Sequence, residues 1–551
     1  LILTQNLFGL DIDERAAQLT GFALMMKGRA DDRRLFERGV KLNVMALQDS
    51  AGFDAEGLGK ELELSDYGLK PGDLTELKDL FEHATTFGSL IQAPEGLAEK
   101  LPTMKQLSEA ISQDLFGSEA LHRLGPLVQQ AELLAAQYDV VVANPPYMGS
   151  KFYCPVLKDL VNTAFRAGKA DLYGAFTLRN ILLAKANGHV GMITIPNWMF
   201  LSSFEALREA IFRDAPISSL VHNGRGVWGS DFGSCSYILR RSSPQGISGR
   251  FLRLFEKQGS VASNQELERR FYVNPRFTVA NADFSKIPGS PVAYWVSERV
   301  RELFLEEKVG DTSEVREGLG TRDDDIFLRQ SWEVDRCKLK DGPIAKKWVK
   351  TDKGGEFRKW YGNGTFVLNW ENDGYAIRNH RNPDGSLKSR PQNTQFFFRA
   401  AISWNKVGSG ITAFRFRDDQ SAFNDAAPSV FGPRIIEFAA MLNSKVLRLL
   451  LAIQGGTVNV TTGIIKGLPV VPVSSARTLG SRLIELARAD WDAYERSWDF
   501  QSLPILTASS EPAPTLESSY TAWITQNRDT IAEMKRLEEE NNRLFIDAYG
   551  L

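Results

Sequence analysis

Tyr138-Asp139-Val140-Val141-Val142-Ala143-Asn144-Pro145-Pro146-Tyr147 reads as a buried parallel strand running straight into a rigid loop. The β-branched run favours extended backbone. Two prolines then end it, because proline fixes its own φ and has no N–H to give to a ladder. The residue ahead of a proline is pushed out of helical geometry, so Asn144 is held extended and the Pro145 carbonyl is left free of local pairing. The product is a stiff pair of acceptors, the Asn144 side-chain oxygen and the Pro145 carbonyl. Ligands of open α/β sheets bind beyond the carboxyl ends of the strands, which is where this loop stands.

Outward from the loop, short β-type runs alternate with helical stretches through the first 240 residues, the pattern of a doubly wound α/β sheet. Strands are predicted at Leu7 to Ile12, Leu42 to Leu47, Asp139 to Ala143, His189 to Ile195, Ser218 to His222 and Cys235 to Arg240. Asp13 is placed to cap a helix through Ala16, Leu19, Phe22 and Met25, and helical spacing recurs over Leu172 to Ala186 and Ser203 to Phe212. Residues 51–137 read as a helical insertion. Ser-Pro-Gln-Gly at 243–246 marks a boundary. The domain expectation is therefore 1–242 for the α/β part, 243–317 for a connector, 318–473 for a mixed α+β part rich in Gly, Trp and basic residues, and 474–551 for a helical C-terminal region.

The 551 residues suit more than one core. No apolar run reaches the ~20 residues a bilayer requires, and the start lacks a signal peptide's pattern, so a cytoplasmic protein without a membrane partner is expected. Cys154, Cys235 and Cys337 are far apart and the five histidines are scattered, which argues against a disulfide framework or a metal site. Residues 224–229 fit GxGxxG, but a strand follows where a helix belongs, so a dinucleotide fingerprint is rejected. Asp323-Asp324-Asp325 lacks the pattern of a nuclease and reads as a solvated acidic turn. The formal net charge is −2, yet residues 336–417 carry seventeen Lys and Arg against six Asp and Glu. Such a block is the electrostatic footprint of a phosphate-binding surface or, more simply, a solvated basic face.

An acceptor pair of this kind suits an aromatic amine. The exocyclic nitrogen of adenine is a poor nucleophile because its lone pair is delocalised into the ring. Two oxygens that hold both amino hydrogens favour a pyramidal nitrogen, by positioning and electrostatics alone. Tyr147 adds an aromatic face for a base taken out of its stack.

The tetrapeptide Asn144-Pro145-Pro146-Tyr147 resembles the (N/D)PP(Y/F) motif of the amino-methyltransferases. The order of cofactor acid, catalytic loop and C-terminal recognition region is similar to the gamma-class DNA adenine-N6 methyltransferases, and the match is nearest to those of BREX phage-defence systems. The resemblance implies a Rossmann-like class I methyltransferase sheet whose first strand is missing from this chain, S-adenosylmethionine as cofactor, double-stranded DNA as substrate and other phage-defence proteins as partners. By resemblance Asp11, followed by Ile12, accepts the ribose hydroxyls of the cofactor, with a turn role as the alternative. Asp49 is similarly matched to the acceptor for the cofactor's adenine amine. Asp171-Leu172-Tyr173-Gly174-Ala175-Phe176 resembles the segment that packs beneath the cofactor. Trp228 is expected to sandwich the extruded base opposite Tyr147, with Phe232 as the fallback. Lys346, Lys347, Arg358, Lys359, Trp404, Lys406, Arg415 and Arg417 are the candidate DNA contacts.

A fused restriction-modification enzyme, a non-catalytic DNA-recognition subunit and a protein-glutamine methyltransferase are the competing readings. The intact Asn144-to-Tyr147 motif opposes the second and the basic block opposes the third. The family's glycine-rich first motif is expected on a strand between those ending at Asp11 and Asn144, and nothing within this sequence replaces it. Residues 1–551 alone should therefore bind S-adenosylmethionine weakly; a tight calorimetric isotherm would contradict this.

Overall fold

The computed structural model describes residues 2–61, 64–109, 115–227, 232–242, 246–256, 263–339, 347–408, 410–454 and 459–551. It divides into two compact units, Leu1–Ala282 and Asp283–Leu551. Several sheets interleave with helices, so the α/β class expected from the sequence holds.

In the first unit, β1 (Phe8–Asp11) and β2 (Asn43–Ala46) form a parallel pair with Asp11 opposite Ala46. The helix Glu14–Asp31 joins them, and the Asp13 carboxylate accepts the Ala16 N–H at 3.0 Å, as a cap should. Helices between Ala55 and Ala135 then pack around buried Leu74, Leu77, Phe81, Met104, Leu107 and Leu124. The remaining strands are β3 (Tyr138–Ala143), β4 (Ala184–Thr194), β5 (Ile217–Gly224), β6 (Ser234–Arg240), β7 (Ser248–Arg253) and β8 (Arg276–Ala280). They make one sheet in the order β3-β4-β6-β5-β7-β8. Pairs β3/β4 and β5/β7 are parallel, and the other three are antiparallel.

Three differences from the sequence reading have physical causes. Strand β3 is not buried: Val140 and Val142 are 60% and 77% exposed, because β3 pairs only with β4 among the described residues. The helix over 172–186 stops at Leu183, where Ala184 pairs with Tyr138 and starts β4. Strands β7 and β8 extend the sheet beyond Arg241; the Ser-Pro-Gln-Gly stretch at 243–246 precedes a return to the same sheet.

The second unit contains β9 (Glu314–Arg316), β10 (Leu328–Gln330), β11 (Trp348–Asp352), β12 (Phe366–Asn369), β13 (Ala401–Trp404), β14 (Phe414–Arg417), β15 (Ser421–Phe423) and β16 (Ser429–Phe431). Two four-stranded sheets result, β10-β12-β11-β15 and β14-β13-β16-β9. Helices Ile435–Leu442, Lys445–Ile453, Ala476–Asp492 and Leu516–Tyr549 share a core with Trp360, Trp404 and Phe414. Asn443 ties helix to sheet: it accepts the Phe414 N–H at 3.1 Å and donates to the Phe414 carbonyl at 2.9 Å. No helix among the described residues is long and apolar enough to cross a membrane.

The helix Leu172–Leu183 is seated by two glycines. A Cβ on Gly168 would meet the Gly174 carbonyl carbon at 2.4 Å and the Ala175 nitrogen at 2.5 Å, and backbone cannot yield as a side chain can. Gly168→Ala should therefore destabilise this unit by about 1–3 kcal/mol, read as a lower urea midpoint; an unchanged midpoint would refute the contact.

Candidate active site

Asn144 follows the last residue of β3 and is exposed, Pro145 is buried, and Tyr147 is 39% exposed. Among the described residues no hydrogen bond reaches the Pro145 carbonyl, so it keeps both lone pairs. The Tyr147 hydroxyl donates to the Ile193 carbonyl at 3.3 Å and lies 3.4 Å from Asn144 Oδ1. The latter is long for a hydrogen bond between oxygens, so a better donor displaces it at little cost. Desolvation, with the buried Cys235 as a smaller cause, raises the Tyr147 phenol above its ordinary range and keeps it neutral.

The Tyr147 ring stands edge-on to Tyr173 at 6.1 Å and to Phe232 at 6.3 Å. Tyr173 is buried and stacks on Phe204 at 5.4 Å, so it backs the site, whereas Phe232 is exposed and forms a wall. Trp228, the expected second stacking residue, lies outside the described residues. Behind the loop, Tyr237 packs on Trp198 at 4.9 Å and shares a 3.1 Å hydrogen bond with Thr177.

Asp11 is the last residue of β1, and Asp49 stands just past the carboxyl end of its partner β2. Asp11 is exposed, with Oδ1 accepting the Asp13 N–H at 2.9 Å. Asp49 is exposed too, but both its oxygens take the Thr85 hydroxyl, at 2.9 and 3.1 Å, and Oδ1 also takes the Thr85 N–H at 2.8 Å. Ile12 is beside Gly88, where φ is +56°; a Cβ there would meet Ile12 Cγ2 at 3.2 Å and the Phe176 ring at 4.0 Å. The helix Leu172–Leu183 thus brings Tyr173 to the loop at 144–147 and Phe176 to the Asp11-Ile12 turn.

Sequence reasoning missed what anchors that helix. The buried Arg179 guanidinium donates to the carbonyls of Ser89 at 2.9 Å, Ile91 at 2.7 Å and Leu134 at 2.8 Å. Burial lowers it to about 10, with Tyr138 opposing. No local pattern marks an arginine as interior, since its partners are carbonyls remote in sequence. His222 on β5 is buried against Phe255 at 4.7 Å, and desolvation followed by the Arg253 charge lowers it to about 4.

The proposed DNA contacts fare unequally. Trp404, Arg415 and Arg417 are 0%, 1% and 5% exposed, which corrects the expectation that they reach DNA. Trp404 donates to the Val460 carbonyl at 2.8 Å, Arg415 to Asn405 Oδ1 at 3.0 Å, and Arg417 lies over the Phe423 ring at 5.1 Å. They point inward because β13 and β14 are covered on both faces. Lys359 is paired with Glu538 at 2.9 Å, Arg358 with Asp490, Lys406 with Glu317, and Lys347 sits 3.8 Å from Glu371. Lys346 lies outside the described residues.

Residues 5–228 match the family model described as Eco57I restriction-modification methylase. Over its full length the chain is 33% identical to the adenine-specific methyltransferase PglX of Lacticaseibacillus casei (strain Zhang), covering 48% of that protein. It is 32% identical to the adenine-specific methyltransferase BrxX of Escherichia coli O9:H4 (strain HS), covering 47% of it. The chain therefore spans about half the length of the curated relatives it matches. The family resemblance drawn from the sequence is borne out. The Type IIL restriction-modification enzyme MmeI, solved in complex with DNA, aligns with 90% of this chain and 74% of its own at 10% identity and a TM-score of 0.42.

Because the folded His222 value, about 4, lies below its ordinary 6.5, the unfolded chain takes up the proton first as pH falls. Its contribution is complete above pH ~6.5 and is lost progressively down to pH ~4, a loss of up to about 3 kcal/mol. His222→Gln should flatten that limb in urea melts at stepped pH; an equally steep limb would exclude His222 as its source.

Proposed function

We infer that this chain is part of a site-specific DNA adenine-N6 methyltransferase of the PglX and BrxX kind, acting in phage defence with S-adenosylmethionine as methyl donor. The observation that carries the reading is the loop itself: an exposed Asn144 and an unpaired Pro145 carbonyl directly after β3, beside an accessible aromatic ring.

The residues around β1 fit the cofactor. Asp11 leaves a carboxylate oxygen for ribose hydroxyls, and the left-handed Gly88 keeps a side chain out of the space between Ile12 and Phe176. S-adenosylmethionine supplies a sulfonium methyl, an electrophile that a nitrogen lone pair can attack. This chain's residues do the rest. The Asn144 side-chain oxygen and the Pro145 carbonyl accept the two N6 hydrogens of an extruded adenine, and the Tyr147 ring takes the base's face. Held this way by Asn144 and Pro145, the N6 lone pair would face the sulfonium methyl that the cofactor would supply, and the N6 proton released on transfer would pass to solvent. Phe232 serves as the facing wall.

The finer fold we propose is a Rossmann-like sheet in which one more strand lies between β1 and β3. Both are sheet edges here, Phe8 on β1 and Val140 and Val142 on β3 are exposed, and a cleft of 1050 Å3 is lined by Phe8, Asn43, Tyr138 and Val140. Exposed valines on an unpaired edge are what a central strand shows when its neighbour is lacking. For DNA, Lys347, Arg358 and Lys359 remain candidate contacts, since each keeps a partly accessible ammonium or guanidinium.

In the full-length protein, Asn144→Ala should lower methyl transfer to duplex DNA by about 10²–10³-fold, with duplex binding kept. Labelled methyl counted in adenine and in protein decides it: label in protein but never in adenine would sink the reading.

A further inference from the structure

Two consecutive prolines leave the loop without donors of its own. Neither Pro145 nor Pro146 has an N–H, so hydrogen bonds can hold the loop's exit only from Tyr147 onward. Met148 provides that hold. Its N–H donates to Asp171 Oδ1 at 2.9 Å, and its carbonyl accepts the Leu172 N–H at 2.9 Å. Gly149 and Asp171 are bridged antiparallel, and the Ser150 N–H donates to the Ala170 carbonyl at 3.3 Å. Asp171 is the residue immediately before the helix Leu172–Leu183, whose Tyr173 ring meets Tyr147 edge-on at 6.1 Å.

We propose that Asp171 is a positioning residue for methyl transfer: its carboxylate clamps Met148 and so sets the direction of the Tyr147 ring and the Pro145 carbonyl. The proposal rests on reading Asn144 to Tyr147 as the catalytic loop. The backbone bonds of residues 148–150 with 170–172 hold the strand-like contact in place. Only the Asp171 side chain accepts the N–H of Met148, the residue that follows Tyr147. An N–H bonded to a carboxylate is stronger than one bonded to a neutral acceptor, and this one is partly shielded from water. Water replacing the carboxylate would satisfy the N–H without fixing its direction, so the loss falls on geometry rather than on folding.

The test uses the full-length protein and duplex DNA, with Asn144→Ala as the control. Asp171→Ala should lower kcat by about 10²-fold, the scale of an ångström's misplacement, while KM for cofactor and DNA stays near that of the unchanged protein. Asp171→Asn keeps an oxygen that can accept the Met148 N–H, and should restore most of the lost kcat without altering KM. Full activity in Asp171→Ala beside an inactive Asn144→Ala would overturn the clamp and leave the reading of the loop intact. Equal losses in Asp171→Ala and Asp171→Asn with lowered melting temperatures would overturn it too, as a purely structural role. If the unchanged protein places no methyl on adenine, the clamp falls together with the loop's assignment.

Discussion

A ladder cannot continue through two residues that lack an N–H. The last register pair of β3 with β4 is Ala143 with Met192, and the chain has to leave the sheet at Asn144. Everything that makes the site follows from that forced departure. The Pro145 carbonyl, released from any strand partner, stays unpaired among the described residues. Because β4 runs on past Met192 to Thr194, the Ile193 carbonyl meets the Tyr147 hydroxyl at 3.3 Å. The exposed Asn144 and Tyr147, with the buried Pro145 between them, thus rest on a scaffold whose geometry is set one residue upstream.

What keeps that scaffold in place is polar as much as apolar. Arg179 spans three carbonyls from the insertion and from its last helix. Arg208 does the same for the turn after β4, donating to the Trp198 carbonyl at 2.7 Å and the Leu201 carbonyl at 2.8 Å. Burying a guanidinium is costly unless its donors are met, and here they are met by backbone carbonyls. Each arginine offsets its own desolvation by hydrogen bonds to backbone carbonyls outside its own helix. The outcome is a helix, Leu172–Leu183, that reaches the loop at 144–147 with one aromatic ring and the Asp11-Ile12 turn with another.

The second unit shows how a charge count along the chain differs from a charge distribution in space. Residues 336–417 carry an excess of eleven cations, and five of the cations there pair with acids from outside that window: Lys353 with Asp324, Lys388 with Asp323, Lys359 with Glu538, Arg358 with Asp490 and Lys406 with Glu317. The Asp323-Asp324-Asp325 run, read as a solvated turn, is in part the counter-charge of those lysines. A basic block in sequence becomes, in three dimensions, a set of ion pairs, of which those of Arg358 and Lys359 reach the helices Ala476–Asp492 and Leu516–Tyr549.

The sequence by itself determined the strand-then-proline break at Asn144, the Asp13 cap, the helical insertion, and the alternation that lays out β1 to β6. These are local matters of φ, N–H count and periodicity, carried by neighbouring residues. Its NPPY motif also pointed to the relatives that this chain matches, because that resemblance rests on four adjacent residues. Only the tertiary structure decided that β3 is an exposed edge, that β7 and β8 rejoin the sheet, and that Arg415, Arg417 and Trp404 face inward. Those outcomes depend on which distant strand, carbonyl or carboxylate arrives as a partner, and no spacing along the chain records that.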